Sequence, residues 1–163
     1  MIVFGIDPGT AIAGYGIIRE KQNSDLEMVG CGVIRTSAKN SDGERLKQLY
    51  EQISELLILH RPDCGAVEKL FFQQNVSTAL SVGQARGVLL LAMVNRGIKI
   101  GEYTPLQVKQ AVVGYGKADK AQVQKMVATL LGLSYIPVPD DAADALAVGI
   151  CHLNSQKLIG MIQ

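Results

Sequence analysis

The sequence of 163 residues contains no tryptophan, two histidines and three cysteines. Cys31, Cys64 and Cys151 lie in apolar surroundings, and neither they nor the histidines show the spacing of a zinc site. The first residues form an apolar strand pattern instead of the basic start and cleavage site of a signal peptide. An odd number of cysteines without an export signal is typical of buried thiols, so we expect a protein of the reducing cytoplasm.

Long apolar runs and a strong net charge are also absent. No stretch approaches about 20 consecutive apolar residues, so we expect neither a membrane span nor a membrane partner. The formal net charge is +1, which gives no general sign of a nucleic-acid partner. Residues 104–130 nevertheless carry four lysines against Asp119 alone: Lys109, Lys117, Lys120 and Lys125. Solvated lysines are the simpler interpretation of this excess, and the pattern alone does not distinguish it from a binding surface.

The length and composition, 48% hydrophobic and 19% charged, predict one domain over residues 1–163 with a substantial core. Apolar runs with β-branched residues predict five strands, at 2–7, 13–20, 27–36, 64–68 and 98–103. Helical periodicity and capping signals predict helices at 43–60, at 76–96, from 105, at about 119–131 and at about 141–152. Short links between the first three strands favour an antiparallel meander, and the later strands alternate with helices. We therefore expect an α/β fold with a mixed sheet flanked by helices.

Two carboxylates stand at the ends of predicted strands. Asp7 comes where the first strand leaves the core, and the short apolar strand 64–68 ends on Glu68. If strand 1 points up, strand 2 points down and strand 3 up, and a helical crossover returns strand 4 parallel to strand 1. Asp7 and Glu68 therefore meet at one edge of the sheet, where α/β proteins usually build their sites. The turn Pro8-Gly9-Thr10 could instead hold a phosphate, but we interpret it mainly as the end of strand 1.

Asp141 and Asp144 open the last predicted helix three residues apart, so they share one face. That face continues through Val148 and Cys151, which are apolar, so the pair is expected to point inward. An acid in the first turn is also what any helix start prefers, and capping is a complete alternative for this pair considered alone. Asp140 could supply the cap while the other two act, so the two interpretations are compatible.

Together the four carboxylates indicate a metal site. Carboxylates gathered near a core repel one another and resist ionisation unless a cation joins them. Oxygen ligands favour Mg²⁺, and two such ions roughly 3.5–4 Å apart suit phosphodiester cleavage. His152 is the alternative base nearby, and we interpret it as a core or surface histidine.

Ordered motifs extend over most of the chain. They are G-I-D-P-G-T at 5–10, V-E-K-L-F at 67–71, G-Q-A-R-G-V at 83–88, V-K-Q-A-V-V-G-Y-G at 108–116 and D-A-A-D-A-L-A at 141–147. In this combination the sequence resembles the RuvC family, bacterial Holliday junction resolvases with a ribonuclease H-like fold. The resemblance implies a five-stranded ribonuclease H-like α/β domain that nicks four-way junction DNA in a Mg²⁺-dependent reaction, with Mn²⁺ as a possible substitute.

Carried over position by position, the resemblance implies four catalytic acids that bind two Mg²⁺ ions: Asp7, Glu68, Asp141 and Asp144. Some members of the family have histidine at the position of Asp141. Asp140 is an additional neighbouring acid and could exchange roles with Asp141.

The resemblance also implies residues that contact DNA. The family's aromatic wedge follows its glutamate by three positions, which is Phe71 here, and Phe72 is a second candidate. Lys109 and Lys120 would face DNA, and Lys117 lies in the same local excess of positive charge.

Two kinds of protein partner follow from the same resemblance, a second copy of the chain and a branch-migration helicase complex. The predicted helix 76–96 is a candidate homodimer interface because it has small and apolar positions: Ala79, Val82, Gly83 and Val88. Ordinary packing on the sheet is the alternative, and the two are not exclusive.

Two other functions compete with a resolvase. Sugar kinases, actin and heat-shock ATPases also follow a strand with an Asp-x-Gly-Thr turn, but they need a second domain and do not require the late Asp-x-x-Asp helix. A non-catalytic junction-binding relative would keep the fold. Clustered negative charge without metal, however, does not help a protein to bind polyanionic DNA.

Overall fold

The computed structural model describes residues 1–69 and 76–162, with side chains at 1–69 and 78–158. The strands are β1 (Ile2–Asp7), β2 (Ile12–Glu20), β3 (Leu26–Arg35), β4 (Cys64–Glu68) and β5 (Lys99–Tyr103). The helices are α1 (Asp42–His60), α2 (Val76–Val94), α3 (Pro105–Val113), α4 (Lys120–Leu130) and α5 (Asp140–Ile162). Within these ranges no helix has the length and apolar character needed to cross a membrane.

The five described strands form one mixed sheet in the order β3-β2-β1-β4-β5. β2 is antiparallel to both β1 and β3, whereas β4 is parallel to both β1 and β5. A short polar turn suffices between antiparallel strands, while α1 and α2 lie in the longer crossovers that parallel strands need. The predicted meander, strand directions and five-stranded α/β sheet are therefore confirmed.

Helices cover both faces of the sheet. One core lies between the sheet and the pair α1 and α2, and includes Phe4, Ile6, Ile17, Leu49, Ile53, Val67, Leu89 and Met93. The other lies under α5, which α3 and α4 flank, and includes Val3, Ile18, Ala66, Val108, Val127, Leu146 and Ile150. Because successive strand residues point to opposite faces, each apolar run serves both cores, which explains the absence of polar alternation in β1 and β4.

Capping boxes set the starts of α1, α3 and α4. In each, the N-cap side chain accepts a hydrogen bond from the backbone N–H of the third helical residue, and the side chain of that third residue accepts one from the N-cap N–H. The pairs are Ser41 with Glu44, Thr104 with Gln107, and Asp119 with Gln122. The predicted helix start at Thr104-Pro105 is thereby confirmed.

The last helix is longer than predicted. The sequence pattern placed its end near His152, but α5 continues to residue 162. Beyond His152 the Asn154 side chain donates to the carbonyl of Ala111 at 3.0 Å, and the ammonium of Lys157 lies 2.9 Å from Glu20. These contacts with α3 and β2 stabilise helical turns that local periodicity does not reveal.

Three glycines on β1 and β2 allow α5 to approach the sheet closely. A Cβ on Gly5 would overlap the carbonyl oxygen of Ala145, and one on Gly14 would overlap that of Asp141. A Cβ on Gly16 would come within 2.8 Å of a backbone nitrogen of α5. The first turns of α5 therefore rest directly on strand backbone, with no side chain between them.

The three cysteines are unpaired thiols. Cys64 and Cys151 are buried and Cys31 is half-buried. Burial raises the pKa of Cys64 and of Cys151 to about 11, so both remain protonated at neutral pH. The interpretation of the cysteines as core thiols agrees with this placement.

We expect Gly5→Ala to lower the free energy of unfolding by roughly 1–3 kcal/mol or more, because its methyl group would overlap the backbone of α5. Urea unfolding measures the change. Gly43→Ala is the matched control, since no atom lies within 4 Å of a Cβ at that exposed position in α1 and alanine favours helix by up to about 1 kcal/mol. Equal destabilisation by both substitutions would contradict a close packing specific to α5.

Candidate active site

Asp7 and Glu68 lie side by side at the carboxyl edge of the sheet. β1 and β4 pair in parallel register up to Ile6 and Val67, so Asp7 and Glu68 are the next residues in line. Alternate residues of a strand point to the same face of the sheet. Gly5 of β1 and Ala66 of β4 face α5, so Asp7 and Glu68, each two residues later, face the α5 side as well. The strand directions predicted this meeting.

The start of α5 brings two more carboxylates to the same edge. Gly14 is the strand partner of Asp7 on β2, and its bare backbone contacts the carbonyl of Asp141. Asp144 follows three residues later, and both aspartates are half-buried. Asp140, at the first position of the helix, is exposed. The Asp-x-x-Asp pair is thus directed toward the sheet edge.

The electrostatics show that the four acids interact. Burial raises the pKa of Asp7 to about 7, and the charges of Glu68, Asp144 and Asp141 contribute to the increase in that order. Burial also raises the pKa of Glu68, the Asp144 charge adds to it, and the ammonium of Lys109 opposes it. Burial is the largest influence on Asp144 as well and raises its pKa against the opposing contact with Lys120. At neutral pH this site therefore carries negative charge that is poorly solvated.

A cavity of about 250 Å³ opens beside Glu68 and Asp144. Lys109 of α3 and Lys120 of α4 also line it, and the rest of the lining is mostly apolar: Pro105, Val108, Val123, Ala147 and Val148. One cavity therefore offers carboxylates that suit a cation and ammonium groups that suit phosphate oxygens.

Lys120 lies between two carboxylates of α5. Its Nζ is 3.1 Å from Oδ2 of Asp144 and 3.3 Å from Oδ2 of Asp140. Partial burial alone would lower the pKa of Lys120, but the hydrogen bonds and charges of Asp144 and Asp140 outweigh it and raise that pKa. The ammonium compensates part of the negative charge of the site.

The donor set fits a hard divalent cation. As placed, no three histidine, cysteine or acidic side chains in the described ranges stand close enough to hold a metal ion. The carboxylates nevertheless meet at one edge, they repel one another, and an ammonium already lies against Asp144. Carboxylate oxygens are the ligands that Mg²⁺ prefers, and a cation would relieve the repulsion. Asp7, Glu68, Asp141 and Asp144 therefore fit Mg²⁺ better than zinc.

The predicted DNA contacts have different placements. Lys109 and Lys120 line the cavity, whereas Lys117 is exposed between α3 and α4 and is not part of the lining. Phe71 and Phe72, the candidate wedge residues, lie outside the described residues.

His152 is a core residue. It is buried, burial lowers its pKa, and its Nδ1 lies 2.8 Å from the hydroxyl of Tyr103. It follows Asp144 by eight residues, about 12 Å along the helix axis. The histidine therefore belongs to the packing under α5, as interpreted from the sequence.

Gln124 of α4 also contacts the start of α5, because its Nε2 donates to Oδ1 of Asp140 at 3.0 Å. The spacing of four residues between Lys120 and Gln124 places them on one face of α4. No pattern in the sequence, however, indicates that this face lies against the start of α5.

Comparison with known proteins agrees with this geometry. The family model described as crossover junction endodeoxyribonuclease RuvC matches residues 3–152. The chain belongs to the RuvC family. The RuvC of Caldicellulosiruptor saccharolyticus, also named crossover junction endodeoxyribonuclease, is 50% identical over 98% of this chain and 96% of its own length. The resemblance inferred from the ordered motifs is therefore confirmed.

Solved RuvC structures have the same fold. The structure of Thermus thermophilus RuvC has a TM-score of 0.90 at 36% identity, and that of T. thermophilus RuvC in complex with Holliday junction substrate has 0.89 at 33% identity. Each comparison covers 97% of this chain and 96% of the other. The ribonuclease H-like architecture of RuvC thus extends over nearly the whole chain.

In this RuvC-family chain, Asp7→Asn should stabilise the metal-free protein at pH 8. The folded-state pKa of about 7 exceeds the ordinary 3.8, so the free energy of unfolding falls as pH rises from about 4 to 7. Above pH 7 the ionised Asp7 destabilises the folded protein by its full amount. Removing the charge should raise the free energy of unfolding by roughly 1–4 kcal/mol at pH 8 and by less than half as much at pH 5. Urea unfolding in chelator at both pH values measures this.

Asp42→Asn controls for the chemical change, because Asp42 is an exposed acid in the first turn of α1. It should change stability by no more than about 0.5 kcal/mol at either pH. A loss of stability on Asp7→Asn at pH 8 would contradict the electrostatic description of the site.

Proposed function

We propose that this chain is a Holliday junction resolvase of DNA recombination and repair, which cuts four-way junctions by paired nicks in strands of like polarity. The observation that supports this most directly is the convergence of Asp7, Glu68, Asp141 and Asp144 at one sheet edge. The convergence occurs in a chain whose full-length relatives are named crossover junction endodeoxyribonucleases. A structural neighbour that covers 97% of the chain is in complex with a Holliday junction substrate.

The four acids would hold divalent metal, two Mg²⁺ ions in each site with Mn²⁺ as a possible substitute. When bound, such ions stabilise negative charge on the phosphate and favour ionisation of the attacking water. Asp7, Glu68 and Asp144 would hold the ions, while Asp141 would assist or position the attacking water. Because the pKa of Asp7 is about 7, its carboxyl group would have to be in the ionised form to serve as a ligand.

The lysines of the cavity would bind the DNA backbone. Lys109 and Lys120 present ammonium groups beside the acids, where they can contact the phosphates flanking the scissile bond. Lys117, which is exposed between α3 and α4, would add a peripheral phosphate contact. Phe71 or Phe72 would stack on bases near the crossover. Hydrolysis would leave a 5′-phosphate and a 3′-hydroxyl, which a ligase can join.

The competing functions fit less well. A phosphate-binding ATPase-like domain would place phosphate at the turn after β1 and would not need a late Asp-x-x-Asp helix. In this chain that helix packs on the strand partner of Asp7 and brings Asp141 and Asp144 to the same sheet edge. A non-catalytic junction binder would gain nothing from four poorly solvated acids beside its lysines.

We also propose that the chain forms a homodimer through α2. The helix buries Ala85, Leu89 and Met93 against the sheet, so sheet packing accounts for one of its faces. Another face exposes apolar side chains, with Leu80 at 71%, Leu91 at 52% and Val94 at 60% exposure. The positions named from the sequence, Ala79, Val82, Gly83 and Val88, are half-exposed.

Assembly with a branch-migration helicase complex is proposed from membership of the family alone.

Asp7→Asn should reduce Mg²⁺-dependent nicking of a synthetic four-way junction by roughly 100-fold or more, because it removes a ligand of the metal that the reaction requires. Junction binding, measured by gel shift without metal, should be retained. Asp42→Asn should leave both properties unchanged. Parallel assays with linear duplex and with ATP as substrate test the competing functions, and unaltered nicking by Asp7→Asn would remove Asp7 from the mechanism.

Leu91→Glu should shift the protein toward monomer, because a charge would be buried in the proposed interface. Analytical ultracentrifugation should then give a mass near 17.5 kDa for the variant and twice that for the unaltered chain. Leu158→Glu, at an apolar position of α5 with 61% exposure, should not change the mass. A dimer that persists in Leu91→Glu would exclude this face of α2.

A further inference from the structure

Two pairs of side chains connect α4 to the start of α5. The ammonium of Lys120 lies 3.1 Å from Asp144 and 3.3 Å from Oδ2 of Asp140, and Gln124 donates to Oδ1 of Asp140 at 3.0 Å. Lys120 and Gln124 are four residues apart on one helix, as Asp140 and Asp144 are on the other, so each pair shares one face. Both oxygens of Asp140 are therefore engaged by α4, and the ammonium has two carboxylate acceptors.

The two acceptors have different surroundings. Asp144 is half-buried and lines the cavity with Glu68, whereas Asp140 is exposed and does not line it. A divalent cation at the acids would repel an ammonium that contacts the same carboxylate. Asp140 does not line the cavity, so it would not compete for the cation, and the hydrogen bond from Gln124 fixes the direction of its carboxylate. Asp140 therefore remains an acceptor for the Lys120 ammonium when Asp144 binds the cation.

We propose that Asp140, oriented by Gln124, is a positioning residue that holds Lys120 at the cavity while Asp144 exchanges the ammonium for a divalent cation. Asp140 is then not a fifth metal ligand and does not replace Asp141. Its effect on metal binding passes through Lys120. This inference rests on the metal site proposed above, and it adds a role for a residue outside the four acids.

A double-mutant cycle on the full-length chain tests the inference, with Mn²⁺ alone as the probe and electron paramagnetic resonance of the free ion as the readout. Asp140→Asn should raise the apparent Kd for Mn²⁺ roughly two- to fivefold, because an ammonium with one acceptor competes harder for Asp144. Gln124→Ala should act in the same direction by less, and Asp140→Glu should restore much of the affinity. With Lys120→Met, which removes the competing charge, Asp140→Asn should keep only the general charge effect of losing one carboxylate.

Asp119→Asn is the matched control for the loss of one negative charge. Asp119 immediately precedes Lys120, and asparagine is an equally good N-cap, so only the general charge effect on Mn²⁺ binding should remain. If Asp140→Asn weakens Mn²⁺ binding by the same factor with and without Lys120, Asp140 acts on the metal without Lys120 and the inference is wrong. It is equally wrong if Asp140→Asn and Asp119→Asn have equal effects. If the unaltered chain binds no Mn²⁺, the proposed metal site fails, which is a distinct result.

Discussion

The close approach of α5 to β1 and β2 is the constraint on which the site depends. Gly5 and Gly14 have no side chains, so the helix backbone rests on the strands and its first turn reaches the point where β1 ends. Gly14 pairs with Asp7 in the sheet and contacts the Asp141 carbonyl of α5. This one residue therefore sets how close Asp7 of the sheet lies to Asp141 of the helix. A larger residue there would lift the helix and separate acids that are distant in sequence.

The same packing makes the site electrostatically costly. Asp7 would be an ordinary acid at a solvated strand end, but beneath α5 it is half-buried among other carboxylates, and its pKa rises to about 7. The fold maintains this arrangement because apolar packing on both faces of the sheet exceeds the cost of the repulsion. Lys120 offsets part of the charge from the neighbouring helix. A cation at the proposed metal site would relieve the repulsion that the fold maintains between these carboxylates.

The sequence predicts those parts of the structure that local pattern determines. Apolar runs and link lengths determine strand direction, and this was enough to bring Asp7 and Glu68 to one edge. The spacing of three residues was enough to place Asp141 and Asp144 on one helix face. It was not enough to distinguish a role in metal binding from a role in capping the helix. The length of α5 and the contacts of Asp140 with α4 could not be predicted, because they arise between elements distant in sequence. Phe71 as a DNA contact stays a prediction.

The two faces of the sheet are suited to different tasks. α5, α3 and α4 lie on the face that carries the acids and the lysines, whereas the exposed apolar residues of α2 belong to the opposite layer. α2 follows β4, which ends on Glu68, along the chain, and among the described residues those that line the cavity belong to other elements. A dimer formed through α2 would leave both cavities open and relate them by a twofold axis. Such an arrangement matches the symmetry of a four-way junction, in which two strands of like polarity are to be cut.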